Sequence, residues 1–253
     1  IGACEELVGR LLRELAPRDE YVLATKISMP MGRGANQGGL SRKHVIEAVD
    51  RSLARLGLDY VDHLVIHRHP HGLPGQAQPP IEESLEALHD VVKAGKALYL
   101  GASSMFAWQF AELQLTAEMN GWTRCISMQN HYNLLYREEE REMHPYCAKA
   151  GVGLTPWSPL ARGIRADSYR GGFERASTDR SKGGDRMRTQ SLYTGARTFE
   201  IADRVVKLAE KYDQLAGKAA KFGLVREQDA HLENYVTQKT LDGLYLMIAD
   251  EEK

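Results

Sequence analysis

The sequence predicts an α/β fold in which helices alternate with the strands of one parallel sheet. Up to about residue 160, short apolar or period-two runs alternate with segments of period 3.6. The strand starts lie 40, 36, 28 and 26 residues apart, with one amphipathic helix in each gap, which is the spacing of repeated βα units. Glycines also stand where helices should stop: Gly57, Gly95, Gly121 and Gly151 each follow a last helical turn, where a left-handed residue is wanted.

In chain order the strands are predicted at Tyr21–Lys26, Val61–His67, Ala97–Ser103, Cys125–Gln129 and Gly151–Trp157. Between them fall helices at Glu5–Leu15, Ser41–Leu56, Ile81–Ala94, Phe106–Asn120 and Glu138–Ala150, with Ser41 a natural N-cap. The strand at Val61 is apolar on both faces apart from Asp62 and His63, as expected where helices cover one side and a barrel interior the other. A doubly wound open sheet and a (β/α)8 barrel both fit, although no Gly-x-Gly-x-x-Gly follows any strand. From Arg162 to Arg197 eight Arg and one Lys stand against four acids among Gly, Ser and Thr. This stretch reads as a long loop, either solvated or closing over an anionic ligand. Helical pattern returns at Phe199–Glu210, Gln214–Lys221 and Leu232–Ala249, with no strand signal in the last 95 residues.

Composition narrows the function classes. At 253 residues, with 43% apolar and 26% charged residues, the chain is of ordinary globular composition. Thirty-three basic residues against 34 acidic ones leave a net charge of −1, so no global field favours nucleic acid or an anionic membrane. Cys4, Cys125 and Cys147 are odd in number and widely spaced, which argues against a disulfide framework or a zinc site and for a cytoplasmic location. No apolar run reaches the ~18 residues of a membrane span, and the first 15 residues have no signal-peptide layout. The first residue is Ile1 rather than Met, so sequence ahead of it is expected.

Chemistry in a barrel sits at the C-terminal strand ends. Lys26 and His67 close neighbouring strands, where a lysine can stabilise an anion and a histidine can orient a carbonyl or relay a proton. Each alone would be an ordinary strand-end residue. His67, His69 and His71 alternate, but no Cys, Asp or Glu at matching spacing supports a metal site. Ser103, Ser104, Gln129 and Trp157-Ser158 fall at three further strand ends. Hydroxyls and an amide there could hold a flat polar ring, and an indole could stack on it.

The segments ATK with Lys26, GLSRKHVIEAVDRSLARLGLDYVDHLVIHR with His67, GKALYLGASSM, SMQNHYNLLYREEER and GVGLTPWSPLARG resemble, in order and spacing, the aldo-keto reductases. The resemblance covers residues 1–165 and fades through about 211. It implies a partial (β/α)8 TIM barrel of about five of eight βα units, with a helical C-terminal tail, and reduction of an aldehyde or ketone by NADPH. Lys26 resembles the lysine that lowers the pKa of a catalytic tyrosine, and His67 the histidine that orients the carbonyl. Ser103, Ser104 and Gln129 resemble the holders of the nicotinamide amide, position 104 being more often Asn. Trp157 matches the stacking aromatic, Ser158, Leu160, Arg162 and Gly163 match the pyrophosphate turn, and the basic loop after Gly163 resembles the segment that covers the cofactor. Neither metal, nucleic acid nor membrane is implied, and the oligomeric state is left open.

The family's general-acid tyrosine and the aspartate paired with its lysine have no counterpart in residues 1–253, so turnover is expected to be impaired. Five of eight strands cannot close a barrel, which predicts two unpaired edges and an uncovered apolar inner face. Beyond Lys211, YDQLAGKAAKFGL and NYVTQKTLDGLYLMIADEEK resemble the C-terminal helices of a bacterial family of unknown function, giving a domain at 1–211 and a tail at 212–253. The functional expectation is an NADP(H)-dependent oxidoreductase acting on a small carbonyl substrate. The alternatives are a non-catalytic cofactor-binding module like the potassium-channel β subunits, which share GLSRKH and WSPLA, and a nonfunctional fragment.

Overall fold

A computed structural model describes residues 2–34, 36–69, 79–166, 173, 184–195 and 197–211. Its elements are α1 (Ala3–Leu15), β1 (Ala24–Ile27), α2 (Arg42–Leu56), β2 (Val61–Ile66), α3 (Ile81–Lys93), β3 (Ala97–Ser103), α4 (Ala107–Met119), β4 (Cys125–Gln129), α5 (Met143–Ala150), β5 (Gly153–Leu154), α6 (Gly184–Leu192) and α7 (Thr198–Lys211). The five strands form one sheet in the order β1-β2-β3-β4-β5, every pair parallel. The architecture is thus α/β, a partial barrel of five strands. The chain divides into two compact units, one of Ile1–His131 with Glu138–Trp157, the other of Tyr132–Arg137 with Ser158–Lys253.

Local chemistry sets the helix boundaries. The Ser41 hydroxyl accepts the His44 N–H at 3.3 Å and opens α2, and Gly57 closes it at φ 66°, a conformation that costs a residue with a Cβ about 1 kcal/mol. Between these caps Val45, Val49, Leu53 and Leu56 recur at helical spacing and are buried. They pack with Leu64, Ile66, Leu100, Ala102 and Met128 from one face of the sheet and with Leu85, Leu88, Phe110 and Leu113 from α3 and α4. This is the core of the first unit.

Strand alternation and the parallel register assign the other face. Ala24 pairs with His63, Lys26 with Val65, His63 with Tyr99, Val65 with Gly101, and Gly101 with Ser127. Except for buried Val61 and Val65 this face is small or polar, and Tyr99 is 52% exposed. The expected uncovered apolar face is therefore corrected: β1 and β5 are the edges of the described sheet, but the surface between them carries Lys26, His63, Ser127 and Gln129. Gly101 makes this layout possible. A Cβ there would lie 2.3 Å from His63 Nε2 and 2.5 Å from Ser127 Oγ. Without one, those two side chains hydrogen-bond at 2.9 Å above the middle strand.

Several boundaries differ from expectation, most of all the fifth strand, which forms only at Gly153–Leu154 where Gly151–Trp157 was expected. The first strand begins at Ala24 because the Leu23 N–H is taken by the Asp62 carboxylate at 2.8 Å, while Arg18 donates to the same carboxylate at 2.7 Å and to the Tyr21 carbonyl. The segment predicted as Glu138–Ala150 is a 3-10 turn at Glu138–Glu140 followed by α5. Within the stretch read as a loop, α6 forms at Gly184–Leu192, where Arg, Met, Gln and Leu favour helix and Thr189 and the adjacent Tyr193 are buried. The expected helices at Gln214–Lys221 and Leu232–Ala249 lie outside the described residues.

The two sheet faces should respond differently to truncation. Leu64→Ala, on the helix-covered face, should cost about 2–5 kcal/mol, whereas Tyr99→Ala should change stability by no more than about 0.5 kcal/mol. Urea unfolding followed by circular dichroism checks the contrast.

Candidate active site

Because the five strands are parallel, their C-terminal ends share one rim of the sheet, and the sequence-predicted residues of the first unit stand along it. Lys26 is the third residue of β1, and His67 follows β2, its N–H donating to the Ile27 carbonyl at 2.9 Å. Both line a cavity of about 460 Å³ bounded by α1, β1, α2 and the segment after β1. His69 is buried instead against α4, 3.9 Å from Glu112 and tilted on Trp108 at 6.2 Å, so it diverges from His67. His71 lies outside the described residues.

Farther along the rim a second cluster forms at β3, β4 and Trp157. Ser103 and Gln129 are register partners, and the Gln129 carbonyl accepts from the Ser103 hydroxyl at 2.6 Å and the Ser104 N–H at 3.2 Å. Trp157 pairs its N–H with the Asn130 carbonyl at 2.8 Å, and its indole N–H donates to the Ser104 hydroxyl at 2.9 Å. Ser104 holds φ 44°, a left-handed conformation that costs a non-glycine residue about 1 kcal/mol or more and is concentrated at functional positions.

Ser158, Leu160, Arg162 and Gly163 belong to the second unit. There Asn133 anchors the turn, donating to the Ser158 carbonyl at 2.9 Å and to the Tyr193 hydroxyl at 3.0 Å. Ser158, Ala161, Arg162 and Gly163 have φ of 56°, 50°, 54° and 97°. The turn is closed by its own backbone, the Ala161 N–H donating to the Ser158 carbonyl at 2.9 Å and the Gly163 N–H to the Leu160 carbonyl at 3.1 Å.

Three positions escaped the sequence reading. The Arg68 guanidinium donates to the Ser104 carbonyl at 2.8 Å, tying the end of β2 to that of β3. His131 stacks flat on Trp157, centroids 4.1 Å apart and planes within 8°; its place two residues after Gln129 was the available signal. His63 faces the same side of the sheet as Lys26, which is visible only once the register is known. Among the described residues no group of three or more His, Cys, Asp or Glu is placed to hold a metal ion.

Burial dominates the electrostatics of this rim. Lys26 retains exposed surface, yet desolvation by the surrounding protein pulls its ammonium below the usual value. Desolvation likewise lowers His63, offset in part by a hydrogen bond to the Leu100 backbone and reinforced by the positive charge of Lys26. His44 and His144 are also lowered by burial. A histidine lowered in the native state binds its proton more readily when unfolded, so its neutral form costs nothing above the unfolded value of 6.5, and stability is lost as pH falls below that value. The urea midpoint should accordingly drop between pH 7.5 and 5.5, above the range where ordinary carboxylates titrate, and His63→Gln should shrink the drop.

Comparison with known sequences places the chain. The sequence model described as the Aldo/keto reductase family matches residues 2–221, and the chain belongs to that family. A second, described as a protein of unknown function (DUF4197), matches residues 198–253. A Schizosaccharomyces pombe protein named as an aryl-alcohol dehydrogenase is 47% identical over 237 residues, covering 84% of this chain and 63% of its own length. The versiconal hemiacetal acetate reductase of Aspergillus parasiticus is 43% identical over 233 residues, 83% of this chain and 64% of its own. An Alternaria alternata aldo-keto reductase, AMT2, is 44% identical over 232 residues, 82% of this chain and 60% of its own. The chain thus spans about three-fifths of the length of these relatives.

Proposed function

We propose that the chain is the carbonyl-handling portion of an NADP(H)-dependent oxidoreductase that reduces small aldehydes or ketones, aryl aldehydes among them, to alcohols. The observation that carries this reading is the shared cavity of Lys26 and His67 at adjoining strand ends, in a chain of the aldo/keto reductase family. The bound nicotinamide would supply the hydride. His67 would donate to the carbonyl oxygen and hold it in place, and Lys26 would stabilise the negative charge that develops there and support the tyrosine that donates the proton in this family.

The residues present suit such a cofactor. Trp157 keeps exposed surface beyond the face covered by His131, giving an aromatic plane for the nicotinamide, with Ser103, Ser104 and Gln129 beside it for the carboxamide. Ser158, Leu160, Arg162 and Gly163 would bind the pyrophosphate, Arg162 supplying a guanidinium for it. The preference for NADP(H), a cytoplasmic location, the reductase domain at 1–211 and the separate tail at 212–253 belong to the same proposal. Among the described residues no helix is long and apolar enough to cross a membrane.

No tyrosine of the 253 residues matches the family's general acid. Loss of a positioned acid lowers rate by about 10²–10⁴, so turnover should be slow. That observation also favours a second reading, a cofactor-binding module without turnover. NADPH titration followed by tryptophan fluorescence should give saturable quenching that disappears in Trp157→Phe; quenching unchanged by the substitution would remove Trp157 from the site. Carbonyl-dependent NADPH oxidation should be weak and at least about tenfold weaker in Lys26→Met. Saturable binding with no oxidation at all selects the binding module.

A further inference from the structure

Among the described residues of the first unit, two serines just past strand ends hold left-handed backbone that a Cβ disfavours. Ser28 directly follows β1 at φ 103°, and Ser104 directly follows β3 at φ 44°. Such conformations persist only where the surroundings over-determine them. The two serines belong to strands that are not neighbours, since β2 lies between them, and Arg68, two residues beyond β2, meets both. Its backbone N–H donates to the Ser28 hydroxyl at 3.1 Å, and its guanidinium donates to the Ser104 carbonyl at 2.8 Å. Arg68 is half-buried, so this charge-assisted bond is partly shielded from water and stronger than a neutral one. Ser104 passes the constraint on. Its carbonyl is held by Arg68 and its N–H donates to the Gln129 carbonyl at 3.2 Å, so the peptide groups on both sides of its Cα are fixed and the direction of its side chain with them. The hydroxyl then accepts the Trp157 indole N–H at 2.9 Å. His131, stacked on the indole, fixes the plane of that ring, and Ser104 fixes the direction in which the ring points within the plane.

We propose that Arg68 is a positioning residue for the ring-binding end of the rim: by holding Ser104 in its left-handed conformation it aims the Ser104 hydroxyl at the Trp157 indole, and so sets the aromatic face offered to the nicotinamide. It acts through Ser104 and takes no part in the chemical step. The inference deepens the oxidoreductase reading and rests on it for the cofactor alone. The relay from Arg68 through Ser104 to Trp157 lies wholly within the first unit, and each of its contacts is made between described residues.

The test reads the indole N–H of Trp157 directly, by proton–nitrogen correlation NMR of the intact chain without cofactor. The sequence has three tryptophans, Trp108, Trp122 and Trp157, and Trp157→Phe identifies the signal of interest by removing it. Ser104→Ala deletes the acceptor and should move that signal upfield in the proton dimension. Arg68→Met should move it the same way, and the double variant should move it no further than Ser104→Ala alone. Arg68→Gln, which keeps a neutral donor of shorter reach, should move it part of the way, and it supplies the reading should Arg68→Met not fold. Circular dichroism checks that each variant compared is folded. A residue that served stability alone would lower the melting temperature and leave the indole signal in place; that result, or shifts that add in the double variant, would overturn the proposal. NADPH titrated calorimetrically should bind about tenfold more weakly to Arg68→Met and to Ser104→Ala than to the parent chain. A moved indole signal with unchanged NADPH affinity would also overturn it. Failure of the parent chain to bind NADPH would defeat the oxidoreductase reading instead, and the indole signal would still decide whether Arg68 sets the ring of Trp157.

Discussion

Everything in the first unit depends on one constraint, the parallel register of five consecutive strands. A parallel neighbour can be reached only by carrying the chain back along the sheet, and here a helix does so in each gap between strands. All five C-terminal strand ends therefore share a rim, and residues more than a hundred positions apart in sequence, from Lys26 to Trp157, stand along it. The same register fixes the faces. Leu64, Ile66, Leu100, Ala102 and Met128 go to the helices, so Lys26, His63 and Ser127 have no choice but the opposite side.

What that opposite side looks like is decided by Gly101. A side chain at this position would occupy the space through which His63 and Ser127 meet, and β2 and β4 could then interact only through the backbone of β3. With a hydrogen atom in place of a Cβ, a polar contact spans three strands. The polar layer here differs from the aliphatic layer that fills a closed barrel. The polar face is compatible with a five-stranded sheet whose two edges are open among the described residues.

The rim divides into two chemically distinct regions. Near β1 the groups are ionisable and gathered round a cavity, and burial tempers their charge. Near β3 to β5 they are hydrogen-bonding and aromatic, with Trp157 held between the Ser104 hydroxyl and the ring of His131. The chain that carries both regions belongs to the aldo/keto reductase family. The match of residues 198–253 to a different family overlaps the end of the reductase match at 198–221, so α7 lies in sequence claimed by both.

Much of this was legible in the sequence because it is local. Ser41 caps a helix by reaching three residues ahead, and Gly57 and Gly151 end helices through their own φ. The alternation of the strands places Lys26 and His67 at neighbouring tips without reference to anything distant. Arg68, His131 and His63 were not legible, because each acquires its partner from another strand or from the chain beyond β5: the Ser104 carbonyl, the Trp157 ring and the Ser127 hydroxyl. Strand periodicity tells which residues share a face within one strand, while the pairing register and the space left by Gly101 decide which of them touch. The α/β class, the rim and its first residues were thus determined by sequence alone. The contacts made along the rim were decided only by tertiary structure, since they are set by distances between segments that short-range propensity does not constrain.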